Sequence, residues 1–340
     1  MESRESVRAI ARALLTRGKG ILAADESVST MDKRLEAVGA GTTPEMRREY
    51  RELLFTAPGI EEFLSGVIMF DESIRSSTED GTAFADLLTV RGVIPGIKVD
   101  KGTVPLQNFP GEVVTEGLDG LAERLAEYYK MGARFTKWRS VVTIGKDIPT
   151  PQCLSVNAVM LARYAALVQE AGMVPIVEPE VILHGDHSIE RAQEVTAAAL
   201  KTLFNTLTEY KIDLPGLILK SSMVLAGDGN KSQSSPEEVA DATLRTFRDT
   251  VPSEVAGIVF LSGGQTPVRA TENLQAIAVQ GDQPWSITFS YSRAIEEPVL
   301  ALWKGDKANT ESAQKALYHR LMLNARAQTG DYEPSLERQV

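Results

Sequence analysis

Lys220, at the end of the apolar segment PGLILKSSM (215–223), is the side chain best placed for covalent chemistry. A buried amine near other cations favours its neutral form, and a neutral amine is the nucleophile that forms a Schiff base with a carbonyl compound. An isolated lysine at a strand end is more often an ordinary surface residue. The interpretation therefore depends on what the ends of the other apolar segments carry.

Three other apolar segments end in two charged residues spaced two apart: Lys98 and Asp100, Lys137 and Arg139, and Glu178 and Glu180. Residues two apart along a strand point to the same side. We therefore expect each pair to project together, with Asp25 from an earlier segment on the same edge. A carboxylate such as Glu178 beside Lys220 could move protons while the Schiff base forms.

The number of cations also predicts a ligand with more than one anionic group. The loop SGGQ (262–265) offers backbone N–H groups, and Arg293 follows the next segment, so the two could hold a phosphate. Lys98 with Arg139, and with Arg34 as a further candidate, could hold a second anion. The predicted substrate is a doubly phosphorylated carbonyl compound.

The elements that must position these side chains are eight short apolar segments, each typical of a buried parallel strand. They are GKGILAADES (18–27), SGVIMFDES (65–73), RGVIPGIKVD (91–100), GARFTKWRS (132–140), GMVPIVEPE (172–180), PGLILKSSM (215–223), AGIVFLSGGQ (256–265) and WSITFSYSR (285–293). Helical patterns separate most of them, although the pattern between the second and third is short. Eight strand–helix units predict an α/β fold, a (β/α)8 TIM barrel, whose chemistry lies at the carboxyl ends of the strands.

We expect one barrel domain over residues 1–340, with an extra amphipathic helix before the first strand and two helices after the eighth. Residues 329–340 are expected to form a flexible C-terminal tail. A doubly wound open sheet is the alternative. The eight units, and the lack of a Gly-rich dinucleotide motif after the first strand, argue against that alternative.

Composition restricts the class of protein. The chain carries a formal net charge of −10, which disfavours nonspecific binding to nucleic acid. Its single cysteine, Cys153, forms no intrachain disulfide and fits a reducing compartment, so we expect a cytoplasmic protein. No secretory signal or segment able to span a membrane is recognised, and we expect neither a metal site nor a cofactor.

Taken in order, these motifs resemble class I fructose-1,6-bisphosphate aldolase, the metal-independent family that works through a Schiff base. The resemblance runs from GILAADES through LDGLAERLAEYYKMGARFTKWR and VPIVEPE to FLSGGQ and TFSYSRAI, nearly the whole chain. It implies reversible cleavage of fructose 1,6-bisphosphate to dihydroxyacetone phosphate and glyceraldehyde 3-phosphate, in glycolysis and gluconeogenesis. It also implies a homotetramer.

The resemblance implies a role for each matching residue. Lys220 matches the Schiff-base lysine, and Glu178 matches the acid/base that serves its formation. Asp25 matches the carboxylate that takes the C4 hydroxyl proton, Lys137 the lysine that perturbs the Schiff-base lysine, and Glu180 the glutamate that supports the first. The implied phosphate contacts are Ser262, Gly263 and Arg293 for the C1-phosphate, and Lys98 and Arg139 for the C6-phosphate, with Ser27, Lys33 and Arg34 as lesser candidates.

Three positions depart from the family pattern. Ser221 stands where the family usually has proline after the Schiff-base lysine, and Ser292 where it has glycine before the phosphate-binding arginine. The last tyrosine is Tyr332, whereas eukaryotic members end in a tyrosine that reaches the site. Water, Tyr332 and Glu178 all remain candidates for handling the C3 proton of the enamine.

Other interpretations remain open at this point. Transaldolase and deoxyribose-phosphate aldolase also use a lysine in a barrel, but two phosphate sites fit neither. A protein that binds or scaffolds others and has lost the chemistry is a second alternative. For Glu180, Asp100 and Lys101, a structural ion pair is as good an explanation as contact with substrate.

Overall fold

Each of the eight apolar segments contains a strand in the computed structural model, which describes residues 2–338. The strands are β1 (Gly20–Ala24), β2 (Leu64–Met69), β3 (Ile94–Lys98), β4 (Thr103–Pro105), β5 (Val113–Thr115), β6 (Phe135–Val142), β7 (Val174–Val181), β8 (Ile218–Ser221), β9 (Gly257–Phe260) and β10 (Ser286–Phe289). Within the described residues, β4 and β5 form a small antiparallel hairpin that the sequence did not predict, and the other eight form one parallel sheet in chain order. The predicted barrel is confirmed.

One helix precedes the first strand, and the other helices follow strands around the outside of the barrel. They are α1 (Glu2–Leu14), α2 (Val28–Ala37), α3 (Pro44–Thr56), α4 (Asp71–Ile74), α5 (Phe84–Val90), α6 (Leu121–Lys130), α7 (Pro151–Glu170), α8 (Ile189–Glu209), α9 (Pro236–Thr250), α10 (Pro267–Ala278), α11 (Arg293–Trp303) and α12 (Thr310–Thr329). Helices α3, α7, α9 and α10 begin alike: a Ser or Thr hydroxyl accepts a hydrogen bond from a backbone N–H of the first turn, and proline follows. This sequence signal fixes where each helix starts. No helix of residues 2–338 is long and apolar enough to cross a membrane.

The barrel closes where β10 meets β1. Ala23 N donates to Tyr291 O at 3.0 Å, and the Thr288 hydroxyl donates to Lys19 O at 2.6 Å. Gly20 lies against the ring of Phe289 at this seam, so a Cβ added to Gly20 would be 2.5 Å from Phe289 Cε2. Glycine is therefore required by the close approach of the two strands.

We expect Gly20→Ala to destabilise the protein by about 1–3 kcal/mol, because the fully buried Phe289 ring must move to admit the methyl group. The measurement is chemical unfolding. Gly41→Ala is the matched control, since its added Cβ would meet no atom within 4 Å. Equal stability of the two variants would contradict this account of the seam.

Helix α1 closes the bottom of the barrel. Its apolar residues Val7, Ala11 and Leu14 are buried in one cluster with inward-facing strand residues such as Ile21 and Ile176. Arg8 and Asp213 anchor the helix through a 2.5 Å ion pair. With this end filled, the open end is the one to which the carboxyl ends of the strands point, and any site must lie there.

Two details differ from a simple strand–helix alternation. Asp71 and Glu72 begin the short helix α4 instead of ending a strand, and Glu72 pairs with Arg47 at 2.8 Å. The C-terminal segment is packed in the structure: Tyr332 is buried, and its hydroxyl donates to Glu337 at 3.1 Å. That residues 329–340 are flexible in solution stays a prediction, and residues 339–340 lie outside the described part of the chain.

Candidate active site

A cavity of about 1130 Å³ opens at the carboxyl end of the barrel. All but one of the site residues predicted from the sequence line it: Asp25, Ser27, Arg34, Lys98, Lys137, Arg139, Glu178, Glu180, Lys220, Ser262, Gly263 and Arg293. The exception is Lys33, which is exposed on α2 and is not among the lining residues. Apart from Arg34, which lies on α2, the predicted side chains that line the cavity come from β3, β6, β7 and β8 or from the residues just after β1, β9 and β10. The parallel sheet therefore collects residues more than 260 positions apart at one end.

Strand register brings the charged residues side by side. Lys98 on β3 is the register partner of Lys137 on β6, and Arg139 on β6 is the partner of Glu178 on β7. The spacing of two within β6 and β7 turns both charged residues of each strand toward the cavity. This arrangement follows from the sequence pattern.

Four buried side chains form a continuous line of contacts. Lys220 Nζ lies 3.3 Å from Glu178 Oε1, and Glu178 Oε2 lies 3.0 Å from Lys137 Nζ. Lys137 Nζ in turn lies 2.7 Å from Asp25 Oδ2. Because Glu178 touches each lysine with a different oxygen, it can exchange a proton with Lys220 while remaining paired with Lys137.

The charges in this line decide which groups are ionised. Burial opposes ionisation of Asp25, but the positive charges of Lys137, Lys220 and Lys98 outweigh it and lower the pKa of Asp25 to about 2. Burial also acts against Glu178, yet Lys137, followed by Lys220, gives a net lowering of its pKa. Burial disfavours the Lys137 ammonium, whereas Asp25 and Glu178 raise its pKa overall. Lys137 is therefore a fixed ammonium between two carboxylates.

An anion-binding loop lies across the cavity, between β9 and α10. Gly263 and Gly264 both have left-handed backbone conformations, with φ of 57° and 96°. The Arg293 guanidinium reaches over this loop, since a Cβ added to Gly264 would be 3.5 Å from Arg293 Nη2. No hydrogen bond within residues 2–338 engages the N–H groups of Gly263 and Gly264, which leaves them available to an anion.

Two further cations on the β3–β6 side are held by carboxylates. Lys98 Nζ lies 2.8 Å from Asp100 Oδ1, and Asp100 Oδ2 accepts a hydrogen bond from Arg139 N at 3.1 Å. Arg139 Nε donates to Glu180. Asp100 and Glu180 therefore each take part in an ion pair, and their contact with substrate stays a prediction.

Arg34 and Ser27 lie at the β1–β10 side of the cavity. Arg34 Nη1 donates to Ser292 Oγ at 3.0 Å, which places this guanidinium near Arg293 rather than beside Lys98 and Arg139. Ser27 precedes α2, and its hydroxyl lies 3.2 Å from that of Ser29. Both residues remain candidates for binding a phosphate.

The three departures from the family pattern are accommodated in different ways. Ser292 precedes α11 with a φ of −111°, so no left-handed turn requires glycine there. Ser221 ends β8 in register with Phe260. Tyr332 is buried beside α10, where its N–H donates to Gln275 Oε1 at 3.1 Å, and it is not among the residues that line the cavity.

Sequence reasoning missed several residues of the cavity wall. Arg124 on α6 lines it and donates to Val99 O at 2.9 Å, and Ser290 lines it as a buried hydroxyl just after β10. Neither the arginine in a helix nor the serine at a strand end belongs to a recognisable sequence motif. Their proximity to the site follows from packing alone.

Comparison with known proteins agrees with the family resemblance found in the sequence. The family model described as fructose-bisphosphate aldolase class-I matches residues 6–340. The "Probable fructose-bisphosphate aldolase class 1" of Xanthomonas campestris pv. campestris is 51% identical over 330 residues, which cover 97% of this chain and 99% of the relative. The fructose-bisphosphate aldolase of Drosophila melanogaster is 48% identical over 333 residues, covering 97% of this chain and 92% of the relative.

Solved structures agree. Fructose-bisphosphate aldolase from Plasmodium falciparum, solved in a ternary complex with TRAP and a small molecule inhibitor, matches with a TM-score of 0.97 at 44% identity. The match covers 98% of this chain and 96% of that chain. The family resemblance predicted from the sequence is confirmed, and the chain belongs to the class I fructose-bisphosphate aldolase family.

Proposed function

We propose that Lys220, Glu178, Lys137 and Asp25 carry the aldol cleavage that defines this family. Class I fructose-bisphosphate aldolases are metal-independent lyases that cleave fructose 1,6-bisphosphate reversibly. The observation that carries the proposal is the contact of Glu178 with both lysines, at 3.3 Å from Lys220 Nζ and 3.0 Å from Lys137 Nζ. A nucleophilic amine and its acid/base are thereby within reach of each other, and both side chains are buried.

The reaction starts when Glu178 takes a proton from Lys220 Nζ, 3.3 Å away, and the neutral amine attacks the C2 carbonyl of the ketose. The nitrogen passes one proton to the new alkoxide to give a carbinolamine. Glu178 then returns its proton to the carbinolamine hydroxyl, which leaves as water, and a protonated imine remains. Asp25 then takes the C4 hydroxyl proton, the C3–C4 bond breaks, and its electron pair moves onto the imine to give an enamine and a free aldehyde. Its pKa of about 2 keeps Asp25 ionised for this step.

Release of the second product reverses the covalent steps. A proton is added to C3 of the enamine, and water hydrolyses the imine to free dihydroxyacetone phosphate and Lys220. With Tyr332 packed beside α10, Glu178 and water are the remaining candidates for supplying that proton. The Lys137 ammonium stays in place throughout and stabilises the carboxylates on either side of it.

The two phosphates are assigned to the two cationic sides of the cavity. Ser262, Gly263 and Arg293 hold the C1-phosphate, with Arg34 beside them. Lys98 and Arg139 hold the C6-phosphate, and Ser27 is a further contact at the rim. Glu180 keeps Arg139 oriented through their hydrogen bond.

Reductive trapping tests the covalent step. We expect borohydride, added with fructose 1,6-bisphosphate or dihydroxyacetone phosphate, to attach the three-carbon phosphate to Lys220, which peptide mass spectrometry would locate. Cleavage is expected to continue in EDTA. Modification of another lysine, or strong preference for a monophosphorylated sugar, would overturn the assignment.

Arg293→Ala is expected to raise KM for fructose 1,6-bisphosphate by about 100-fold, since a charge-assisted contact to phosphate is lost. Arg245→Ala on the exposed face of α9 is the matched control. Steady-state kinetics with fructose 1,6-bisphosphate provide the measurement. An unchanged KM in the Arg293 variant would remove this residue from the phosphate site.

We also propose a cytoplasmic homotetramer. Family membership supports the assembly, and the lone, buried Cys153 fits a reducing compartment. Sedimentation velocity at micromolar concentration tests the tetramer, and fractionation of the source cells tests the compartment.

A further inference from the structure

A buried cluster of two glutamates and two arginines lies behind the Arg293 side of the cavity. Its members are Glu26 after β1, Arg34 on α2, Arg51 on α3 and Glu296 on α11. Glu26 and Arg34 also line the cavity, so the cluster reaches the substrate space. Glu296 is completely buried and lies one helical turn after Arg293.

The two carboxylates of this cluster are not equally compensated. Glu26 accepts hydrogen bonds of 2.5 Å from Arg34, from Arg51 and from the Ser292 hydroxyl. Glu296 Oε2 has weaker partners: Tyr50 OH at 3.2 Å, Arg34 Nη1 at 3.5 Å and Arg51 Nη1 at 3.7 Å. Glu296 Oε1 accepts no hydrogen bond from the described residues.

The weaker contacts of Glu296 give it a different pKa from that of Glu26. Burial, with repulsion from Glu26, outweighs the attraction of Arg51 and Arg34 and raises the pKa of Glu296 to about 8. Attraction to Arg51 and Arg34 prevails over burial at Glu26 and lowers its pKa. Glu296 is therefore the member of the cluster whose charge changes near neutral pH.

We propose that Glu296 is a positioning residue whose charge, acting through Arg34, sets how strongly the cavity attracts the substrate phosphate beside Arg293. This inference rests on the proposed phosphate site. With Glu296 neutral, two guanidiniums face one carboxylate, and the cluster carries one net positive charge. With Glu296 ionised, the cluster is neutral and Arg34 has less attraction left for a phosphate.

The direction of the pH effect follows from linkage. A phosphate dianion bound near Arg34 favours the neutral form of Glu296, so ionisation of Glu296 must weaken phosphate binding by the same factor. KM for fructose 1,6-bisphosphate is therefore expected to rise by about 10-fold between pH 7 and pH 9. The effect is expected on KM because Glu296 does not line the cavity and contacts Arg34, which does.

Glu296→Gln tests the proposal, because glutamine keeps the shape of the side chain and cannot ionise. We expect this variant to keep a low KM at pH 9, so that its KM changes less than that of the wild-type enzyme. Glu297→Gln, on the exposed side of the same helix, removes the same charge and is expected to follow the wild-type profile. Parallel KM profiles for the wild-type enzyme and Glu296→Gln overturn the proposal.

Tyr50→Phe is a second, independent test. It removes the 3.2 Å hydrogen bond that stabilises the ionised carboxyl of Glu296, so the rise in KM is expected to move to higher pH. If Glu296→Gln melts well below the wild-type protein, Tyr50→Phe becomes the deciding variant. A pH profile of KM that does not move in Tyr50→Phe then overturns the proposal. Failure of the proposed function itself is distinguishable, because the wild-type enzyme would then show no cleavage or no trapping at Lys220.

Discussion

Replacing Lys220 with alanine is expected to lower kcat/KM for fructose 1,6-bisphosphate cleavage by about 10⁴-fold or more. Without the amine no imine can form, and the electrons of the breaking C3–C4 bond have no acceptor. The residual positioning by the phosphate contacts does not replace that acceptor. Lys220 is 3% exposed and opens onto the cavity, so truncation leaves space that water can fill and the barrel is expected to fold.

The same variant should keep its affinity for the bisphosphate, because the proposed phosphate contacts come from other residues. Titration calorimetry with substrate would check this, and borohydride should no longer attach a phosphate ester. Lys201→Ala, on the exposed face of α8, serves as the matched lysine control. Normal turnover in Lys220→Ala, or attachment of the phosphate ester to Lys137 by borohydride, would contradict the mechanism.

Much of this site can be predicted from the sequence because a parallel barrel brings the carboxyl ends of all its strands to the same end of the fold. A parallel strand buried on both faces is a run of apolar residues, and the polar residues that end the run must lie at the rim. The spacing of two in KWR and VEPE then fixes which side chains share a direction. Lys137, Glu178 and Lys220 could therefore be assigned to one cavity before any contact was known.

What the sequence did not reveal depends on contacts between distant segments. The hairpin of β4 and β5 consists of three residues a strand, too short to show alternation. The Glu26–Arg34–Arg51–Glu296 cluster joins residues separated by up to 270 positions, and nothing in the local sequence around Glu296 distinguishes it from the exposed Glu297. Only burial makes one of these glutamates a titrating group near neutral pH.

Lys137→Met is expected to cost about 3–5 kcal/mol of stability at pH 7, and about 10³-fold in kcat. The single Lys137 ammonium compensates both Asp25, at 2.7 Å, and Glu178, at 3.0 Å. Methionine fills nearly the same volume but leaves two buried carboxylates with less compensation. Urea unfolding and steady-state kinetics provide the two measurements.

The pH dependence of unfolding separates this electrostatic explanation from a packing defect. In the wild-type protein the pKa of Asp25 is lowered to about 2, so its stabilising contribution is present at neutral pH and is lost as the pH falls from about 4 to 2. In Lys137→Met, burial outweighs the remaining attraction, the carboxyls take up protons readily, and the stability deficit should shrink on acidification. Adding Asp25→Asn to Lys137→Met removes one uncompensated charge, so it should restore part of the stability at pH 7 and none of the activity. A deficit that is the same at pH 4 and pH 7, and unrelieved in the double variant, would mean that lost packing rather than charge accounts for the effect.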